Sequence, residues 1–80
     1  MSYKIYTERN NAETSRDPDD YTYKQIGQRD TLPEAVRVAQ EYIENHFIKK
    51  SAELRAGKGK QLFRATDFCS WPETIIIEKL

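Results

Sequence analysis

Eighty residues leave room for one domain with a thin core, since a chain this short buries only about 60–65% of the surface its unfolded form exposes. Thirteen basic and thirteen acidic side chains cancel, so no net field pulls the protein toward nucleic acid or anionic lipid, and the repulsion that keeps small proteins apart is missing. One cysteine, Cys69, excludes an intrachain disulfide framework, and no aliphatic run exceeds Ile75-Ile76-Ile77, so a cytoplasmic protein with no membrane segment is expected.

Tyr-Lys-Ile-Tyr-Thr-Glu over residues 3–8 alternates and is rich in β-formers, which predicts a strand. One face carries Tyr3, Ile5 and Thr7; the other carries Lys4, Tyr6 and Glu8. Residues 9–20 hold no apolar side chain larger than alanine and contain Asn10-Asn11 and Asp17-Pro18-Asp19-Asp20, so an exposed, mobile loop is expected. Residues 21–28 read as a second strand, with Gly27 marking a bulge or a close approach near its end.

Thr31-Leu32-Pro33-Glu34 has the form of a capping box with proline in the first turn. Leu32, Ala35, Val36, Ala39, Tyr42, Ile43, His46 and Phe47 then recur at steps of three and four and make one apolar stripe on a long helix. Residues 49–56 still favour helix, and Gly57 suits a C-cap. A helix continuing to residue 56 would be about 37 Å long, so it either overhangs or breaks near Lys49–Ser51. Gly57-Lys58-Gly59-Lys60 reads as a flexible basic connector, and residues 61–68 as a third strand. Cys69-Ser70-Trp71-Pro72-Glu73 reads as a turn. Phe68 and Trp71 beside it are expected to close the thin core from one end. The Ile75-Ile76-Ile77 run suits a fourth strand, central or buried on both faces.

The expected fold is α+β in the order β-β-α-β-β, a single domain over residues 1–80: a four-stranded, mostly antiparallel sheet with one long amphipathic helix on one face. One helix covers one face only, so the other must meet water, a ligand or a partner chain. With five tyrosines, several of them in the first two strands, some must lie on that uncovered side.

Catalytic constellations are missing from the pattern. Asp17, Asp19 and Asp20 resemble the start of a calcium loop, but Pro18 intervenes and the glycine and distal glutamate do not follow. One histidine and one cysteine do not make a zinc site. Cys69, His46 and Asp67 could in principle form a nucleophilic set, yet nothing in the spacing brings them together. The Gly57–Lys60 stretch lacks the strand-loop-helix setting and terminal Ser or Thr of a phosphate loop. No enzyme activity and no cofactor or metal are expected.

Charge distribution says more than charge total. Residues 49–64 hold Lys49, Lys50, Arg55, Lys58, Lys60 and Arg64 against Glu53 alone. Such a patch fits phosphate backbones, an acidic protein surface, or a solvated face complementing a helix C-terminus. The expectation is a non-enzymatic accessory protein that docks on a larger protein, in the style of small phage or mobile-element modulators and inhibitors, with self-association into a homodimer as a further outcome. Its expected contacts are those six basic residues with Tyr6 and Tyr23. The alternative is a nucleic-acid-binding accessory protein using the basic 49–64 segment.

Overall fold

Alternating β-formers build the first edge of the sheet: Tyr3–Asn10 (β1) pairs antiparallel with Tyr21–Arg29 (β2). The computed structural model describes residues 2–11, 16, 20–49, 52–68 and 72–80. Ile5 faces Gly27 while Tyr6 faces Gln25, so Ile26 is the extra residue of a bulge beside the glycine. The loop expected over 9–20 falls largely outside the described residues. At its base the Asn11 amide donates to the Asp20 carbonyl (2.9 Å), and Asn11 Nδ2 donates to Thr22 Oγ1 (2.7 Å).

The helix runs Leu32–His46 (α1). The Thr31 hydroxyl accepts from the Glu34 amide at 3.4 Å, and Pro33 sits in the first turn, where its missing N–H costs no bond. Ala35, Ala39, Ile43 and Phe47 are buried, and Leu32, Val36, Val38 and Tyr42 pack around them. Among the described residues no helix is long and apolar enough to cross a membrane.

The helix does not continue to residue 56. Phe47 turns extended (φ −74°, ψ 139°), and the next two backbone amides leave the helical ladder. Ile48 N–H and Lys49 N–H donate to Oδ2 and Oδ1 of Asp67, at 2.8 and 3.1 Å. That carboxylate is only 3% exposed, and both its oxygens accept. A buried acid that competes for these amides ends the helix more firmly than residues 49–56, with their helical propensity alone, can extend it. Lys50 and Ser51, where a break was expected, lie outside the described residues.

Beyond that point the chain adds a strand that the pattern does not announce. Arg55–Ala56 (β3) pairs with Gln61–Asp67 (β4), so the sheet has five strands rather than four. Gly57 is a hairpin residue rather than a helix cap. Its amide donates to the Leu62 carbonyl (3.0 Å), and a Cβ there would meet the Gln61 carbonyl oxygen at 2.2 Å. Gly59 takes φ +60°, so the stretch expected as a connector is the tight turn joining β3 to β4.

The last strand, Glu73–Lys79 (β5), lies in the centre of the order β2-β1-β5-β4-β3, and every neighbouring pair is antiparallel. Central placement explains its aliphatic run. Ile75 and Ile77 meet the helix, and Ile76 points to the reverse face. Together with Ile5 they are the largest fully buried side chains, each worth roughly 1.5–3 kcal/mol of burial. α1 lies over β1, β2 and β5, and Ala52 and Leu54 pack against the same core after the helix ends.

Candidate binding surface

Strand alternation and register set out the sheet face away from α1. One row reads Gln25, Tyr6, Ile76, Arg64, Arg55 across all five strands. The next reads Tyr23, Glu8, Thr74, Thr66, and Tyr21 lies beyond it opposite Asn10. At the other end Lys4 and Glu78 share a row with Gln61. No described element packs on this face.

The centre of the face is nevertheless dry. Ile76 is 0% exposed although no described element lies over it. The face opens toward the β1–β2 edge. Tyr23 is 63% exposed, and its ring lies 6.4 Å from that of Tyr6 and 6.3 Å from that of Tyr21. A shallow depression of about 300 Å³ lies among Lys4, Tyr6, Tyr23, Gln25 and Glu78.

Charges in the depression are internally matched. Lys4 Nζ sits 4.9 Å from the centre of the Tyr6 ring and 3.8 Å from Glu78 Oε2. Tyr6 accepts from Gln61 Nε2 at 3.3 Å. Burial first, and the Glu78 carboxylate second, hold the Tyr6 phenol above its ordinary pKa. Tyr23 is also raised, by desolvation and then by Glu8, to which its hydroxyl donates at 3.5 Å. Both phenols are neutral donors and acceptors at physiological pH.

Of the six basic residues expected to act together, five are described, and three of these line one groove. Lys49, Arg55 and Arg64 line an open groove of about 760 Å³ at the outer edge of β4, with Glu53 and Phe68. Arg55 and Arg64 are register partners. Lys58 and Lys60 are exposed at the tip of the β3–β4 turn, and Lys50 lies outside the described residues.

Three side chains depart from the sequence reading or were missed by it. Phe68 does not close the core; it is 72% exposed. Ala65 and Asp67 point inward, so strand alternation sends residue 68 out. Trp71 and Cys69 lie outside the described residues. Ile48 is 75% exposed, because the Asp67 bond holds its backbone while its side chain faces solvent. Tyr21, on the same face as Tyr23, could have been found by extending the alternation of the second strand.

His46 is exposed and stacks on Tyr42 with ring centres 4.4 Å apart. Asp67 accepts backbone amides and orients no imidazole. The Tyr42 hydroxyl lies 3.1 Å from both oxygens of Glu73, whose Oε2 is 3.5 Å from Arg9 Nη2. This cluster ties the helix end to β5. Among the described residues no group of three or more His, Cys, Asp and Glu side chains is placed to hold a metal ion. Comparison with protein-family models, with curated proteins and with solved structures gives no significant match.

Proposed function

We propose that this chain is a non-enzymatic accessory module that docks on a larger protein through the sheet face opposite α1. The observation that carries the reading is the pair of exposed rings Tyr21 and Tyr23 beside half-buried Tyr6, on a face that no described element covers. Tyrosine is favoured at protein interfaces because its ring supplies area at low entropy cost and its hydroxyl supplies a polar contact. A rigid sheet holds the three rings in place before contact, which lowers the ordering cost of binding. The paired charges of Lys4 and Glu78 leave little net field beside Tyr6 on this face, in keeping with a partner recognised by shape and hydrogen bonding.

A photocrosslinking residue at position 23 tests this, with the same residue at exposed Arg37 on the helix as control. One defined adduct from position 23, absent from position 37 and lost on adding Tyr6→Ala, is the expected result. Equal labelling from both positions, or none from position 23, refutes it. An adduct of twice the chain mass identifies a second copy as the partner.

One observation favours a second reading. Arg64 and Arg55 share the row of Tyr6, with Arg64 two strands, about 10 Å, away. Aromatic rings beside cations on one sheet face suit single-stranded nucleic acid. Salt-sensitive binding of an oligonucleotide, weakened by Arg55→Ala and Arg64→Ala, would replace the first reading. Lys58→Ala/Lys60→Ala then shows whether the turn contributes.

A further inference from the structure

We propose that the groove along the outer edge of β4 binds an extended acidic segment of another protein, which adds to the sheet as a further strand. The site is separate from the tyrosine group, and it stands or falls without it.

The backbone supplies the first argument. β3 is two residues long and pairs only with Phe63 and Arg64. From Ala65 to Asp67, β4 is paired with β5 on its inner side, and no described strand pairs with its outer side. Ala52 and Glu53, which precede β3, line the groove with Ala65 and Thr66 and belong to no strand. Among the described strands the sheet therefore has a short unpaired edge beside a groove of about 760 Å³. Unpaired strand edges are templates for an added strand.

Side chains supply the chemistry of the occupant. Lys49, Arg55 and Arg64 line the groove against Glu53 alone, so it attracts carboxylates. Ile48 and Phe68 stand exposed on either side of the Asp67 clamp. Two large apolar side chains held in solvent beside three cations fit a segment with an aliphatic or aromatic residue between acidic ones. A nucleic acid fits less well, because its backbone cannot complete a β ladder.

Fluorescence anisotropy with a fluorescein-labelled hexapeptide, two acidic residues on each side of a Val-Phe pair, tests the proposal at low ionic strength. Saturable binding is expected. Lys49→Glu and Phe68→Ser should each weaken it by about tenfold or more, whereas Tyr23→Ala should leave it unchanged. Both altered side chains are solvent-exposed, and amide spectra of the variants confirm the fold. Peptide-induced amide shifts should centre on residues 65–68. An acidic peptide with proline in place of valine should bind more weakly, since proline cannot donate to the ladder. Equal binding of a peptide with lysines in place of the acids, no saturation up to about 1 mM, or tighter binding of an oligothymidylate would overturn the proposal. So would shifts confined to the tyrosine face.

Discussion

Replacing Asp67 by alanine isolates the interaction that ends the helix. Its carboxylate is 3% exposed and accepts from two backbone amides at 2.8 and 3.1 Å. Hydrogen bonds to a charged acceptor contribute about 1.5–3 kcal/mol each, and a stranded buried donor costs about 1–3 kcal/mol. Ile48 and Lys49 sit at the surface, so water can reach part of what Asp67→Ala exposes. A loss of about 2–4 kcal/mol is therefore expected, near the lower end of the summed bond energies. For a domain of this size that lowers Tm by about 10–20 °C. Asp67→Asn keeps one acceptor oxygen and should lose about half as much. Urea unfolding gives the free energies, and hydrogen exchange at the Ile48 and Lys49 amides locates the effect. Unfolding free energy within about 0.5 kcal/mol of the parent for Asp67→Ala, a change typical of neutral surface sites, would refute the reasoning. Unaltered exchange at those two amides would do the same.

Ile76→Ala should cost about 2–5 kcal/mol although the residue faces away from the helix, while Tyr23→Ala stays within about 0.5 kcal/mol; equal effects in denaturant unfolding would show that the sheet centre is not dry. Gly57→Ala should disrupt the β3–β4 turn, because its Cβ would lie 2.2 Å from the Gln61 carbonyl oxygen, and amide shifts over residues 55–64 report it. Burial first, and Glu73 second, raise the Tyr42 phenol above 10.0, so the native state keeps a proton that the unfolded chain has lost. This contribution of Tyr42 is accordingly complete below pH 10.0 and is lost as pH climbs past it; unfolding curves of Tyr42→Phe should fall less steeply in that range.

Local pattern carried the helix start, its apolar stripe and four of the strands. Thr31, Pro33 and Glu34 are contiguous, so capping chemistry is visible without tertiary information. The two faces of β1 follow from period-two alternation, and the central place of Ile75–Ile77 follows from an aliphatic run that suits a strand flanked on both edges. The helix end was not legible, because the acid that decides it is 18 and 19 residues away in sequence. With the helix stopped at His46, Arg55–Ala56 pair with β4 as a fifth strand, and Gly57 and Gly59 become turn residues. Tyr6 and Tyr23, both expected as contacts, have neighbouring rings on the face away from α1. The grouping of Lys49, Arg55 and Arg64, without Lys58 and Lys60, was not legible.

Residue order alone determined which side chains share a face, since helical and strand periods are properties of the local backbone. It also determined that one amphipathic helix can cover only one side of this sheet. Tertiary structure decided where the helix stops, which edge is left open and which cations meet. Those outcomes rest on long-range contacts, above all the Asp67 carboxylate's capture of two distant amides, which no local window of the chain contains.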